Sequence, residues 1–266
     1  MALGESAVTE LFRRIEYGYR VVFTGLAFIL FALMGLGFRF LACPALNLTI
    51  RDPKRRARAA RSVTHVSFGL FISLMKALRL MTCEIHGAEK LQRSGLLICP
   101  SHPTLLDVVI LMSVVKNANC VVKAALLANP YLKSPVRTCG FVSNDSGESL
   151  IEDCCASLRN GDNLIIFPEG TRTRPGQEPH FQHGAAAVSL ASAVAVTPVR
   201  IECVPPTLSK GAPWYRVPER RMHFTIHVMD DMNVAPYREE LAARGRPIAV
   251  RHLTRDLKHL LFPNHA

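Results

Sequence analysis

The sequence predicts an α/β fold in which a mixed, mostly parallel sheet is flanked by helices and preceded by an N-terminal helical membrane appendage. From about residue 83 onward, short apolar runs alternate with helical stretches, and several runs end at Pro or Gly. A long uncharged run lies near the N-terminus and is followed by a basic cluster. The 266 residues, 49% of them apolar and 20% charged, leave ample room for a buried core.

The membrane appendage is predicted from residues 1–82. Val21 to Phe38 contains no charge and would form a helix about 27 Å long, close to the ~30 Å of a bilayer core. Cations lie on both sides of this run, which favours a helical hairpin or a shallow interfacial insertion over a single pass. A buried core helix is the alternative. The cluster after the run, which favours contact with anionic lipid, consists of Arg51, Lys54, Arg55, Arg56, Arg58 and Arg61.

The elements of the body follow from apolar runs and helical spacing. The predicted strands are Leu96–Cys99, Cys120–Val122, Phe141–Ser143, Leu164–Phe167 and Val196–Ile201, with His223–Val228 alternating as an edge strand would. The predicted helices are Val66–Met81, Pro103–Val115, Ser149–Arg159, Gly184–Val194 and Pro247–Leu261. Pro205–Pro218 is predicted as a loop.

Charge and cysteine usage restrict the classes of partner. A formal net charge of +11 favours anionic partners, but no nucleic-acid motif or aromatic stacking run accompanies it. The eight cysteines form no CxxC pair, so we expect reduced, mostly buried thiols. The sequence has no HExxH motif and no glycine-rich phosphate loop, and we expect neither a metal nor nucleotide hydrolysis.

A His/Asp pair follows the first predicted strand of the body. On a continuous helix His102 and Asp107 would lie about 140° apart. With Pro103 as the first helical residue, His102 lies in the preceding loop and Asp107 faces it from one turn inside the helix. Imidazole accepts protons near neutral pH, and a carboxylate on its other nitrogen fixes the tautomer. On these residues alone, a structural His at a helix start is the commoner explanation.

A second segment, Phe167–Arg172, ends a predicted strand abruptly. Gly170 permits a turn that a side chain would obstruct, and Arg172 offers a planar fork suited to phosphate or carboxylate. Glu169 either holds that fork or binds an acceptor hydroxyl. On these residues alone, a strand-end turn with a surface ion pair explains the segment equally well.

Together the two segments resemble the glycerolipid acyltransferase family. His102 and Asp107 match its H-x4-D motif, and Phe167–Arg172 matches its FPEGTR motif in full. The resemblance runs from His102 to Ile201. Further matches to the family's intermediate and later segments are Lys123, Leu126, Pro130, Arg137, Gly140, Phe141, Phe181, Gly184, Ala185 and the strand carrying Thr197, Pro198 and Val199.

The resemblance implies a glycerol-3-phosphate acyltransferase-like catalytic domain over residues 83–266. It implies acyl transfer from acyl-CoA or acyl-carrier protein to a hydroxyl of a lysophospholipid such as 1-acyl-sn-glycerol-3-phosphate, with no further cofactor. His102 is then the base and Asp107 its orienting partner. The implied acceptor-binding residues are Glu169, Gly170, Thr171 and Arg172, and further substrate-binding candidates are Lys123, Arg137 and Arg174. The implied location is a membrane containing anionic lipids, with the site on the cytoplasmic face, as in a bacterial inner membrane.

One departure from the family pattern bears on the acceptor. The family carries an Arg shortly after the intermediate Gly, whereas the stretch Gly140–Asp145 has none. This favours, as an alternative, an acceptor outside the glycerophosphates, such as a lipid of an aryl-polyene-type pathway. Two other functions stay open on the sequence: hydrolysis of acyl thioesters by the same base, and a non-enzymatic basic membrane-binding module.

Overall fold

A computed structural model describes residues 2–144 and 149–263, with side chains from Glu10 onward. Its seven strands form one sheet in the order β1-β7-β6-β2-β5-β3-β4. All neighbouring pairs are parallel except the pair of β6 and β7. The strands are β1 (Met81–His86), β2 (Leu97–Pro100), β3 (Ala118–Val122), β4 (Val142–Ser143), β5 (Asn163–Ile165), β6 (Val196–Val204) and β7 (Met222–Val228). The predicted mixed, mostly parallel sheet with flanking helices is confirmed.

The expectation that His223–Val228 forms an edge strand is wrong. β7 lies between β1 and β6, and the partner that covers its outer edge is β1, which the sequence did not predict. The alternation instead reflects the two faces of the sheet. Phe224 and Ile226 are fully buried, whereas the alternate residues His223, Thr225 and His227 are only partly covered.

Ten α-helices are described. They are α1 (Ala2–Gly37), α2 (Cys43–Thr49), α3 (Pro53–Ala77), α4 (Asp107–Val114), α5 (Ala125–Ala128), α6 (Lys133–Cys139), α7 (Ser149–Arg159), α8 (Gly184–Ser192), α9 (Ala235–Arg244) and α10 (Arg246–Leu261). A π-helical segment, Phe38–Ala42, joins α1 to α2. The basic cluster from Lys54 onward and the predicted helix from Val66 are one helix, α3, whose first turn is capped by the Asp52 carboxylate, and Arg51 precedes that cap.

α1 and α3 pack as an antiparallel hairpin, and the predicted membrane insertion of the apolar run stays a prediction. The Tyr19 hydroxyl donates to the Leu78 carbonyl over 3.1 Å, and the Phe31 ring lies 5.2 Å from the Phe71 ring. Within the described residues, one helical stretch, Glu10–Thr49, is long and apolar enough to cross a membrane by length and composition. Only 11% of its most apolar window is buried in the protein.

The hairpin shares its core with the sheet. Ala27 of α1 and Phe71 of α3 belong to the same buried cluster as Ile98 and Phe224 of the sheet. The expected boundary after residue 82 falls inside β1. The division at that position therefore stays a prediction.

The cysteines follow the expectation of reduced thiols. All eight are free of disulfides, and all but Cys83 are buried. Burial raises the pKa of several of them, and the pKa of Cys120 and of Cys154 is about 12. These thiols are therefore protonated at neutral pH and act as small apolar side chains.

Candidate functional site

The His/Asp pair lies where β2 ends at the carboxyl edge of the sheet. His102 Nδ1 and Asp107 Oδ2 are 2.8 Å apart, and the two side chains are 16% and 0% exposed. An ionised carboxylate only accepts hydrogen bonds, so Nδ1 is the protonated nitrogen. Nε2 is then the ring nitrogen that offers a lone pair.

The pair meets by a different local structure from the expected one. The helix begins at Asp107 and not at Pro103, because residues 103–106 form a turn held by side chains. Thr104 donates its N–H to Asp107 Oδ2 over 2.7 Å and its hydroxyl to Asp107 Oδ1 over 2.6 Å, and the Leu106 N–H donates to the same hydroxyl. Asp107 therefore has three donors in addition to its place at a helix N-terminus, which favours an acceptor carboxylate.

The strand before His102 is anchored independently. The Ser101 hydroxyl accepts from the Ile201 N–H over 2.8 Å in the neighbouring strand β6. The His102 ring lies on the Phe167 ring, with the centroids 4.1 Å apart. The hydrogen bond with Asp107 and the contact with the Phe167 ring thus fix the position of the imidazole. Phe167 is the first residue of the second motif.

Glu169 connects the two motifs. Its Oε1 accepts the His102 backbone N–H over 2.7 Å, and its Oε2 contacts the Thr173 hydroxyl. The Thr173 N–H in turn donates to the His102 carbonyl over 3.0 Å. Glu169 is only 3% exposed and makes no ion pair with Arg172 among the described contacts. The structure thus brings Glu169 to the backbone of the His102 loop, and its predicted contact with the acceptor stays a prediction.

Both buried carboxyls have raised pKa values. Burial raises the pKa of Asp107, and hydrogen bonds from His102 and Thr104 oppose the shift. Burial raises the pKa of Glu169 to about 8, the His102 N–H opposes this, and the charge of Asp107 adds to it. At neutral pH a protonated Glu169 accepts at Oε1 and donates its proton to the Thr173 hydroxyl.

Glu169→Gln should remove a pH dependence of stability. The folded pKa of Glu169 lies above the usual 4.5, so its stabilising contribution is complete below about pH 4.5 and is lost as pH rises to about 8. A glutamine keeps both hydrogen bonds without titrating. Between pH 5 and pH 8 the unfolding free energy of the wild type should fall by roughly 2–4 kcal/mol more than that of the variant.

This is measured by urea unfolding in neutral detergent, followed by far-ultraviolet circular dichroism. Glu239→Gln on the exposed part of α9 is the matched control and should follow the wild-type pH dependence. Parallel pH profiles for wild type and Glu169→Gln would contradict the assignment of a neutral Glu169.

Arg172 binds the loop between β6 and β7. Its Nη1 donates to the Leu208 carbonyl over 2.9 Å and lies 3.4 Å from the Ser209 carbonyl. The Leu208 carbonyl also accepts the Leu105 N–H, so the predicted Pro-rich loop reaches both motifs. No sequence pattern indicates this contact, since its acceptors are backbone carbonyls.

The other predicted residues are distributed around the site. Gly170 has φ +64°, and a Cβ there would lie 3.3 Å from the Gln182 side chain, so glycine suits the turn. Thr171 is half-buried in the same turn, and Lys123 and Arg174 are exposed. Arg137 lies on α6 and lines two cavities, neither of which is lined by His102 or Asp107.

The stretch that lacks the family's Arg is described as far as Asn144. Its side chain accepts the Ala124 N–H over 2.9 Å, so it ties the end of β4 to the start of α5. Asp145 lies outside the described residues. The described part of this stretch therefore contains no cation.

An apolar cavity of about 100 Å³ lies next to the His102 loop. It is formed where α1, α3 and the loop meet, and its walls include Phe28, Phe31, Phe71, Leu105, Leu106 and Leu208. Its apolar walls suit part of an acyl chain. The sequence could not reveal it, because its walls come from five distant segments.

Comparisons with known proteins agree with this geometry. The profile of a family described as "Acyltransferase" matches residues 82–202, which include His102, Asp107 and the FPEGTR segment. The chloroplastic 1-acyl-sn-glycerol-3-phosphate acyltransferase LPAT1 of Arabidopsis thaliana is 28% identical over 125 residues, 44% of this chain and 35% of that protein. The corresponding BAT2 protein of Brassica napus is 25% identical over 125 residues, 44% of this chain and 36% of that protein. The aligned region thus spans about a third of these relatives.

The fold has a solved counterpart. The structure titled as the 1-acyl-sn-glycerophosphate (LPA) acyltransferase PlsC from Thermotoga maritima superposes with a TM-score of 0.64 at 18% identity, covering 93% of this chain and 97% of that chain. The profile match identifies residues 82–202 as an acyltransferase-type domain. The likeness to the solved structure concerns the fold of the chain.

Proposed function

We propose that this protein transfers an acyl group from acyl-CoA or acyl-carrier protein to a hydroxyl of a lysophospholipid such as 1-acyl-sn-glycerol-3-phosphate. The observation that carries the proposal is the His102–Asp107 pair, 2.8 Å apart at the end of a strand, with Nε2 of the imidazole left for the acceptor. Both chloroplastic relatives are named as 1-acyl-sn-glycerol-3-phosphate acyltransferases, which supports this acceptor class.

The chemistry follows from the pair. His102 Nε2 takes the proton of the acceptor hydroxyl while its oxygen attacks the thioester carbonyl. The carbon–sulfur bond breaks, and the imidazolium returns the proton to the leaving thiolate. Asp107 stabilises the transient imidazolium and holds the ring tautomer. The products are an ester and a free thiol, and the base is regenerated without a covalent acyl-enzyme.

A second acceptor class has a specific observation in its favour. Arg172 donates to the carbonyls of residues 208 and 209, Arg137 lines cavities apart from the pair, and the family's Arg is missing before Asn144. Among the described residues, no Lys or Arg contacts the His102–Asp107 pair in the place of the missing Arg. This arrangement supports a lipid acceptor whose headgroup is not a phosphate.

The test is an acyl-transfer assay with purified protein in neutral detergent, radiolabelled acyl-CoA or acyl-carrier protein, and two acceptors. Transfer to lysophosphatidic acid supports the glycerophosphate acceptor. Transfer only to a component of a total lipid extract supports the second class. Thioester loss that needs no acceptor would show a hydrolase, and inertness with every pair, while liposome binding persists, would show a non-enzymatic membrane module.

We further propose that α1 lies in the plane of the membrane surface. Arg20, midway along α1, donates to the Glu219 carbonyl, and Arg39, in the π-helical segment that continues the helix, lies 5.5 Å from the Tyr131 ring. Both ends of a segment nearly 30 Å long at about 1.5 Å per residue thus contact the body that carries His102. Its outward face is an apolar stripe at helical spacing, formed by Val22, Leu26, Ile29, Leu33, Leu36 and Phe40.

Leu26→Lys/Leu33→Lys should lower binding to neutral phosphatidylcholine vesicles at least tenfold. Each lysine would place a charge in lipid at a cost of about 2–3 kcal/mol, while the exposed positions contribute little to the fold. Flotation measures the bound fraction. Leu260→Lys, a comparably exposed position on α10, is the control. Equal loss in both variants would overturn the membrane orientation of the stripe.

A further inference from the structure

A cationic cavity lies beside the π-helical segment that follows α1, at the closed end of the hairpin that α1 forms with α3. It has a volume of about 350 Å³ and is lined by Arg39, Arg56, Lys133 and Arg137, together with Asn47, Pro130, Ser134 and Thr138. We call it the four-cation cavity. Its walls come from the π-helical segment, α2, α3 and α6, so residues distant in sequence converge on it.

The four cations have no carboxylate partner among the described residues, unlike neighbouring arginines of the same helix. Arg55 pairs with Asp52 over 3.8 Å, and Arg61 pairs with Asp162 over 2.8 Å. Arg56 is 3.4 Å from a backbone carbonyl only. Four clustered like charges repel one another, so this arrangement is stabilised when an anion binds.

Arg39 adds an independent sign of a missing acceptor. Its Nη1 is buried and has no hydrogen-bond partner within the described part of the chain. Its guanidinium lies 5.0 Å from the Phe40 ring and 5.5 Å from the Tyr131 ring, and these contacts hold it in place. A buried donor of this kind is costly unless an acceptor occupies the cavity.

Exposed apolar side chains around the cavity identify the source of the anion. Phe40, Leu41 and Leu48 on the hairpin side and Tyr131 on the body side are exposed, Leu41 by 73% and Leu48 by 84%. These side chains continue the apolar stripe of α1. A soluble phosphate would gain nothing from them, whereas the acyl chains of a lipid would cover them.

We propose that the four-cation cavity binds the phosphate of an anionic phospholipid headgroup at the membrane surface. It is separate from the His102–Asp107 pair, because none of the residues that line it belongs to the His102 loop or to the FPEGTR segment. In a lysophospholipid acceptor only a few bonds join the reacting hydroxyl to the phosphate. The inference rests on the proposed membrane orientation of α1 and not on the proposed acyl transfer.

The experiment measures ligand binding by isothermal titration calorimetry to the full chain in uncharged detergent, which requires neither a bilayer nor turnover. The probes are dihexanoyl phosphatidylglycerol, dihexanoyl phosphatidylcholine, inorganic phosphate and coenzyme A. Arg56→Gln/Lys133→Gln removes two cavity cations. Arg51→Gln/Arg55→Gln removes the same charge from the same basic region outside the cavity. Lys133→Gln alone, on the exposed start of α6, is the second variant should the double variant fail to fold.

We expect phosphatidylglycerol to bind at least tenfold more tightly than phosphatidylcholine or inorganic phosphate. The cavity variant should lose at least tenfold of that affinity, and the control should change less than threefold, since each cation near an anionic lipid contributes roughly a fivefold factor. Equal losses in the two double variants would show diffuse attraction and overturn the site. Inorganic phosphate or coenzyme A binding as tightly, with loss in the cavity variant, would overturn the lipid assignment. Absence of phosphatidylglycerol binding to the wild-type protein would overturn both the site and the lipid assignment.

Discussion

His102→Ala should lower kcat/KM for acyl transfer by about 10³-fold or more, because the substitution removes the only base held against Asp107 in the described site. The ring is 16% exposed and its main apolar contact is Phe167, so its loss should leave the fold in place. Initial rates are measured with the acceptor that the wild-type protein uses, and circular dichroism verifies the fold.

His86→Ala is the matched control for this substitution. His86 is on β1 at the opposite edge of the sheet order from β4, and its ring stacks on His227. The same chemical change there should leave the acylation rate within about twofold of wild type, as expected of a surface substitution. A His102→Ala protein that is folded and keeps more than a tenth of the wild-type rate would remove the base from the proposed mechanism.

The parts of the site that the sequence predicted are those in which local chemistry is unusual. Each of the two segments was ambiguous alone, and His102, Asp107 and the FPEGTR segment stood out because together they match two motifs of one family in order and spacing. Their convergence follows from parallel strands, since the ends of β2 and β5 lie side by side. The alternation of strands and helices predicted the sheet for the same reason, as each element carried its own periodicity.

The parts that the sequence missed depend on distant contacts or on short polar segments. β1 carries Thr82, Glu84 and His86 on one face, so its pattern did not resemble a buried strand. The position of α4 was misjudged because Pro103 suits a helix start, whereas hydrogen bonds from Thr104 to Asp107 favour a turn. The contact of Arg172 with the Leu208 carbonyl joins segments separated by two elements.

Glu169 illustrates how burial changes the interpretation of a motif residue. From sequence, a carboxylate three residues before Arg172 suggested an ion pair or a hydroxyl-binding group. In the structure its oxygens contact the His102 N–H and the Thr173 hydroxyl. Through this contact the FPEGTR segment holds the His102 loop in position. Thr173, directly after the motif, was the missed partner, and its hydroxyl at that spacing was the available signal.

Asp107→Asn should lower kcat/KM by about 10²-fold, less than His102→Ala, because it removes charge while it keeps geometry. With the amide oxygen in the place of Oδ2, both the His102 Nδ1–H and the Thr104 N–H still have their acceptor. The amide N–H₂ then donates to the Thr104 hydroxyl, which rotates to accept it. The tautomer is preserved, and only the stabilisation of the imidazolium is lost.

Asp107→Ala separates the two roles of the carboxylate. It removes the acceptor for both Thr104 donors and for the His102 ring, so the turn and the tautomer are lost together with the charge. We expect its rate to fall to that of His102→Ala and its unfolding free energy to drop by about 2 kcal/mol or more, since buried donors lose their partner. Single-turnover rates and urea unfolding on the three variants give the comparison. If Asp107→Asn kept the wild-type rate, the charge would play no part in catalysis, and Asp107 would act only by holding the ring in place.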